Sequence, residues 1–277
     1  MNTIATPMTV LASGLEFPEG PAFAPDGTLW CVELKGGALV EMRGGQIHRH
    51  AVGGAPNGLV FARDGSAWFC DADAGAIRCY EPLTGECRLV AGGDGTLDGP
   101  NDLAFDGAGR LVFTCPGNSR AEPTGTVWSL DREDRLCLLA DGLFFPNGLA
   151  FSADGTRLYI AETYRQRVWI GAYDGVSGMW INPAPWAELG GPIGPDGMAF
   201  GEDGLLHVAV FGQSAVKAVA PDGSVTGGLD LAGARPTNCC FDPSGRLGLV
   251  VTEAERGEVL AFPFMGRGAA LLGGWNG

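Results

Sequence analysis

The stretch Gly194-Pro195-Asp196-Gly197-Met198-Ala199-Phe200 sets a carboxylate between proline and glycine at the head of a short apolar run. Taken alone it is a turn that enters a strand. The same phrase recurs as Pro18-Glu19-Gly20, Pro56-Asn57-Gly58, Pro100-Asn101-Asp102, Pro146-Asn147-Gly148 and Pro236-Thr237-Asn238. In every copy a phenylalanine lies four residues beyond the residue that follows proline: Phe23, Phe61, Phe105, Phe151, Phe200 and Phe241. Successive copies are 38 to 49 residues apart, the period of a four-stranded propeller blade.

Within each copy the motif leads through a short run to a tight turn and a second run, as in Gly148-Leu149-Ala150-Phe151, Ala153-Asp154-Gly155 and Arg157-Leu158-Tyr159-Ile160-Ala161. Asp-Gly supplies the positive φ that a two-strand turn needs. Leu59, Leu103, Leu149 and Met198 share a face with the following phenylalanine, and Val60, Ala104, Ala150 and Ala199 take the other. Each unit is thus one sheet with two faces to bury, and radial stacking covers both. The expected fold is all-β: a six-bladed β-propeller of four-stranded antiparallel blades around a central tunnel, with residues 1–277 as one domain. Two runs compete to complete the sixth sheet, Met8–Ala12 and Ala269–Leu272.

Composition agrees with a turn-rich globular chain: 45% of residues are hydrophobic, and the 46 glycines and 18 prolines punctuate the apolar runs. A formal net charge of -14 without a Lys/Arg cluster argues against nucleic acid and anionic membranes as partners. The start Met1-Asn2-Thr3-Ile4-Ala5-Thr6-Pro7 lacks the basic and long apolar regions of a signal peptide, so a cytoplasmic location is expected, as a monomer or weak homodimer. The eight cysteines form no CxxC pair and read as reduced; Cys79 and Cys87 flank one hairpin, and Cys239 and Cys240 should face opposite sides of a strand.

Carried on Phe17-Pro18-Glu19-Gly20-Pro21, Pro100-Asn101-Asp102, Phe145-Pro146-Asn147-Gly148-Leu149-Ala150-Phe151 and Gly194-Pro195-Asp196-Gly197, the chain resembles the SMP-30/gluconolactonase/luciferin-regenerating-enzyme-like propellers over essentially its whole length. That resemblance implies one divalent cation, often calcium, at the top of the tunnel and, for many members, lactone hydrolysis. It implies Glu19, Asn147 and Asp196 as metal ligands, with Asn101 as a metal or substrate contact. Physical reasoning points the same way. Corresponding loops of a propeller converge on its axis, so Glu19 and Asp196 become two carboxylates in one confined space that a cation would compensate. Two carboxylates and two amides form a hard oxygen set, suited foremost to Ca²⁺, with Mg²⁺, Mn²⁺ or Zn²⁺ as alternatives.

The resulting expectation is a metal-dependent lactonase acting on a small-molecule lactone, with Asp196 as general base and Asn101 and Asp102 orienting substrate oxygens. Two departures from the family pattern remove groups that would hold sugar hydroxyls: Gly99 stands where some members have arginine, and Cys115 follows Thr114 where others have aspartate. A lactone less polar than an aldonolactone is therefore expected, with Phe17, Phe144, Phe145, Trp186 and Phe211 near the mouth. Two alternatives are a calcium-dependent phosphotriesterase-like hydrolase and a non-catalytic ligand-binding propeller with structural calcium. His48 and His50 read as solvated and His207 as packed. Asn57 and Thr237-Asn238 read as turns, and Glu33, Asp71, Glu162 and Glu253 read as either rim or solvated groups.

Overall fold

In the computed structural model, which describes residues 8–269, the chain forms six four-stranded antiparallel sheets arranged as a ring, the six-bladed propeller anticipated above. The inner strands are Pro18–Phe23, Pro56–Phe61, Leu103–Phe105, Pro146–Phe151, Gly194–Phe200 and Pro236–Phe241. Each blade then runs outward strand by strand, and adjacent inner strands lie against one another, the sixth against the first. Among the described residues no helix is long and apolar enough to cross a membrane.

The recurring phenylalanine has one job throughout. Phe23, Phe61, Phe105, Phe151, Phe200 and Phe241 each enter a different one of six separate apolar cores, and each core lies between the phenylalanine's own blade and the preceding one. Leu59, Leu103, Leu149 and Met198 pack into the same cores as their phenylalanines, while Val60, Ala104, Ala150 and Ala199 face the next core round the ring. The strand period of two thus builds a wheel of wedges. Cys239 and Cys240 divide between two cores as expected for neighbours on a strand, and all eight cysteines are free. The lower turns have the anticipated chemistry: Asp26, Asp64, Asp154 and Asp203 each accept the N–H two residues on, and the following glycines lie at positive φ.

Thr9–Ala12 pairs antiparallel with Glu258–Phe262, so the N-terminal strand closes the ring. Of the competing run, Ala270–Leu272 lies outside the described residues, as does the start Met1–Pro7; Ala269 is held instead by its N–H to Phe200 O at 2.9 Å.

Glu33, Asp71, Glu162 and Glu253, at the upper ends of the second strands, are neither rim nor solvated groups. All four are buried and hold the loops that deliver the motifs. Glu33 accepts from Glu16 N and from the Arg49 guanidinium, Asp71 from Ala55 N, Ala74 N and Arg78, and Glu162 from Phe144 N, Arg167 Nε and the Trp169 indole. Glu253 accepts three backbone N–H groups, from Arg235 at 2.8 Å, Glu255 at 3.0 Å and Arg256 at 2.7 Å. Substituting it with alanine strips all three donors of their acceptor. Glu253→Ala should therefore cost about 3 kcal/mol of stability, since each hydrogen bond to a charged group contributes about 1.5–3 kcal/mol and these part-buried donors recover some of it from water. Urea unfolding of the variant beside the wild type checks this.

Candidate metal centre on the propeller axis

The upper ends of the inner strands are stitched together around the axis. Thr114 Oγ1 donates to Asn147 O at 2.8 Å, Thr163 Oγ1 to Pro195 O at 2.8 Å, Thr237 Oγ1 to Pro18 O at 2.7 Å, and Gly58 N to Asn101 O at 2.6 Å. Four of the six junctions are therefore tied at the level of the motif itself. Thr237, read from sequence as part of a turn, is fully buried and bonds Thr252 Oγ1 as well.

On this scaffold Glu19, Asn147 and Asp196 are buried near the axis, and Asp102 joins them. Burial is the largest influence raising the Glu19 carboxyl well above its ordinary range, followed by the charges of Asp196 and Asp102. Asp196 is raised in the same way, by burial and then by Asp102, with a bond from Asn147 opposing. Asp102 is pushed up to about 6 by burial, against opposing hydrogen bonds from Leu103 N and Asn238. Three carboxylates that raise one another's affinity for protons form a centre that takes up positive charge, as protons or as a cation.

The donor set fits a hard cation. Glu19 accepts from Gly20 N at 3.3 Å, and a bond from the Thr237 side chain also lowers its carboxyl. Asn147 donates through Nδ2 to Thr163 Oγ1 at 3.3 Å, and among the described residues no donor takes its Oδ1. Among the described residues no three His, Cys, Asp or Glu side chains stand close enough to enclose an ion on their own. An ion held here would need an amide oxygen beside the carboxylates, and Asn147 offers one. Asn101 is half-buried; its backbone is locked by Thr114 O at 2.8 Å and by Gly58 N, and its side chain makes no hydrogen bond among the described residues.

The structure adds a feature that the turn reading of Thr237-Asn238 missed. Asn238 Nδ2, from the sixth blade, donates to Asp102 Oδ2, from the third, at 3.2 Å. At this position in the repeat the other four blades carry Gly20, Gly58, Gly148 and Gly197. A Cβ at Gly197 would collide with the Asn238 amide, and one at Gly58 would come within 2.7 Å of Asp102 Cα. The glycines vacate the space that the Asp102–Asn238 pair fills. That signal was available in the sequence as two hydrogen-bonding residues at one offset among four glycines.

Below this pair the tunnel continues as a cavity of about 410 Å³, lined by Leu59, Leu103, Leu149, Met198 and Cys239 and reaching Gly268 and Ala269. Glu19, Asn147 and Asp196 lie outside its lining, whereas Asp102 and Asn238 line it, so this pair stands between the charged centre and the cavity.

At the upper mouth Phe17 stacks on Phe211 with ring centroids 6.3 Å apart, and Phe145 meets Tyr164 edge-on at 5.4 Å. Phe17 and Phe145 directly precede the prolines of two motifs and hold φ of 63° and 60°. Bulky residues rarely adopt that region, at a cost of about 1–3 kcal/mol. Trp186, expected beside them, lies elsewhere: its indole donates to Pro221 O and packs on Tyr159 near the lower turns. His207 is buried against Phe241 near the same end. His50 is not simply solvated; it stacks on Trp30 and shares a hydrogen bond of 2.9 Å with Tyr80 Oη.

A six-bladed propeller whose repeated loops bring buried oxygen side chains to its axis defines a recognisable class of proteins. Within it, the chain belongs to the SMP-30/Gluconolactonase/LRE-like family, whose sequence profile matches residues 17–255. It is 26% identical to a gluconolactonase of Zymomonas mobilis over 284 aligned residues, covering 88% of this chain and 78% of that protein. Identity to the diisopropyl-fluorophosphatase of Loligo vulgaris is 29% over 229 residues, 72% of this chain and 71% of that one. Among solved structures, a calcium-binding regucalcin of Agrobacterium tumefaciens superposes with a TM-score of 0.82 at 22% identity, covering 94% of each chain.

Proposed function

We infer that the protein is a metal-dependent lactonase that opens a small lactone with few ring hydroxyls. The observation that carries this reading is the convergence of Glu19, Asp196 and Asp102 with Asn147 at the axis, a buried charge that a divalent cation would compensate. The lactonases among its relatives support it.

Glu19, Asn147 and Asp196 would hold the ion, with Asn101 at the matching position of the third blade; Ca²⁺ suits the oxygen set best. Bound there, such an ion would polarise the lactone carbonyl and stabilise charge on its oxygen. Asp196 removes a proton from water as the water oxygen attacks the carbonyl carbon. When the adduct collapses, the ring C–O bond breaks and the ring oxygen leaves with a proton, giving a hydroxy acid. Asp102, anchored by Asn238, and Asn101 orient substrate oxygens. Glycine at position 99 and cysteine at 115 leave little to hold sugar hydroxyls, whereas Phe17 and Phe211 offer an apolar wall. A lactone panel from γ-valerolactone to gluconolactone, assayed before and after chelation and with each metal restored, tests the reading. Ring opening that is lost on chelation, restored by metal and fastest on the less hydroxylated rings is expected. Undiminished opening after chelation would refute the metal, and a strong preference for the sugar would refute the substrate class.

The phosphotriesterase reading keeps a place because of the diisopropyl-fluorophosphatase relative. A chromogenic organophosphate beside the lactone panel separates the two.

A further inference from the structure

Resting on the lactonase reading, we propose that the lactone carries an anionic substituent, and that Lys35, Arg120 and Arg165 at the upper mouth recognise it.

Two groups of cations near the motif loops differ in whether a carboxylate holds them, although Arg78 and Arg167 of the first group also lie over the rings of Phe69 and Trp169. Arg49, Arg78 and Arg167 pair with Glu33, Asp71 and Glu162 at 2.6 to 2.9 Å and belong to the loop anchors described above. Lys35, Arg120 and Arg165 lie in loops at the same end of the propeller, all exposed, and none has a carboxylate within 4.0 Å among the described residues. They rest instead on aromatic faces. Lys35 Nζ is 5.1 Å from the centre of the Phe17 ring, Arg120 is 5.6 Å from both Phe145 and Tyr164, and Arg165 is 3.6 Å from Phe144.

The placement of those rings connects the cations to the site. Phe17 is two residues before Glu19, and Phe145 two before Asn147. Both phenylalanines are the strained residues of the mouth, held at positive φ by bonds from Leu34 N to Phe17 O and from Thr163 N to Phe145 O. Strain of this kind persists where surrounding structure fixes it and is concentrated at ligand clamps. Here it presents a ring beside each of two motif residues, with a cation on its face. Of the carboxylates nearest in sequence, Glu33 and Glu162 are engaged by Arg49 and Arg167, and the exposed Glu122 forms no ion pair with these cations among the described residues.

Charge balance gives the rim its consequence. A chain of net charge -14 repels anions at long range, and its centre is itself acidic. Cations seated on aromatic rings, with no carboxylate within 4.0 Å among the described residues, supply positive charge at that rim. A guanidinium against a ring keeps its outward N–H groups free for a carboxylate or phosphate. The apolar wall takes the ring of the substrate and the cationic rim takes its charge, which reconciles missing hydroxyl contacts with a polar substrate.

A matched pair tests this: 5-oxotetrahydrofuran-2-carboxylate and its neutral carboxamide. Wild-type kcat/KM should favour the acid by 10-fold or more at low salt, and the preference should shrink at 0.5 M NaCl. In the double variant Arg120→Met/Arg165→Met, and separately in Lys35→Met, the acid-to-amide ratio should fall several-fold through the KM of the acid. Equal rates on the two compounds, or an unchanged ratio in both variants, overturns the proposal. Calorimetric titration with tetrahydrofuran-2-carboxylate against tetrahydrofurfuryl alcohol decides it independently of turnover. Preferential binding of the acid that weakens in the variants supports the anion site even if no lactone is opened, an outcome that would refute only the lactonase reading. Equal or absent binding of both compounds overturns the anion site.

Discussion

Asp196→Asn should reduce lactone turnover by about 10²- to 10⁴-fold, the range a positioned general base contributes, while making the metal-free protein more stable. The two halves of that result come from one geometry. Asp196 is buried, its proton affinity raised by that burial and by the charge of Asp102, and it in turn raises Glu19. Asparagine keeps the shape and can still bond Asn147, but it removes one of three mutually repelling charges and the only one assigned to take a proton from water. A residue that served merely as packing would show neither the rate loss nor the gain. The measurements are kcat on a lactone with saturating Ca²⁺, and thermal unfolding in EDTA. Near-full hydrolysis by the variant would remove Asp196 from its assigned role. Loss of turnover together with lower stability in EDTA would mean that the carboxylate supports the fold and that the mutual repulsion is not what governs this centre.

How much of this was legible beforehand follows from what each feature depends on. The ring was legible because Phe23 and its five counterparts repeat at blade spacing, and each fills its own interface. Which terminus closes the ring was not legible, since pairing Thr9–Ala12 with Glu258–Phe262 joins runs almost a chain length apart, beyond the reach of any local rule. Glu19, Asn147 and Asp196 were marked by the prolines before them, and the structure buries all three near the axis. The Asp102–Asn238 bond was missed because it joins opposite blades and depends on glycines from other strands. The strand-end carboxylates Glu33 and Glu253 were ambiguous because solvated and loop-anchoring acids look alike in sequence. Trp186 was misplaced because two register shifts interrupt the pairing of Arg167–Asp174 with Met179–Glu188, and a shift changes which way a side chain faces.

Calcium should raise the melting temperature by about 5–10 °C at pH 7.5, and that increment should vanish below about pH 5. The size follows from mass action: ligand at 100 times its Kd contributes about 2.7 kcal/mol, and a chain of this size shifts by about 2–4 °C per kcal/mol. The pH dependence follows from the sign of the carboxyl shifts. Glu19, Asp196 and Asp102 are raised in the metal-free folded protein, Asp102 to about 6. Their unfolded values are near 4. Groups raised on folding contribute stability that is present below the unfolded value and lost as pH rises through the folded one. Below about pH 5 protons neutralise the centre and leave the ion little charge to compensate. As pH climbs past 6 Asp102 ionises beside Glu19 and Asp196, both themselves raised, metal-free protein loses stability as each carboxyl gives up its proton, and the cation has more to offset. Surface aspartates such as Asp154, lowered to about 2 by bonds from Ser152 and Thr156, shift acid stability in the opposite sense. They do so equally with and without calcium, so the informative quantity is the difference between the two melting curves at each pH. An increment independent of pH would place the ion away from these carboxylates. No increment at pH 7.5 with millimolar Ca²⁺, Mg²⁺ or Mn²⁺ would mean that the centre is charged by protons alone, and the proposed chemistry would have to be rebuilt on Asp102 and Asp196 as a carboxyl pair.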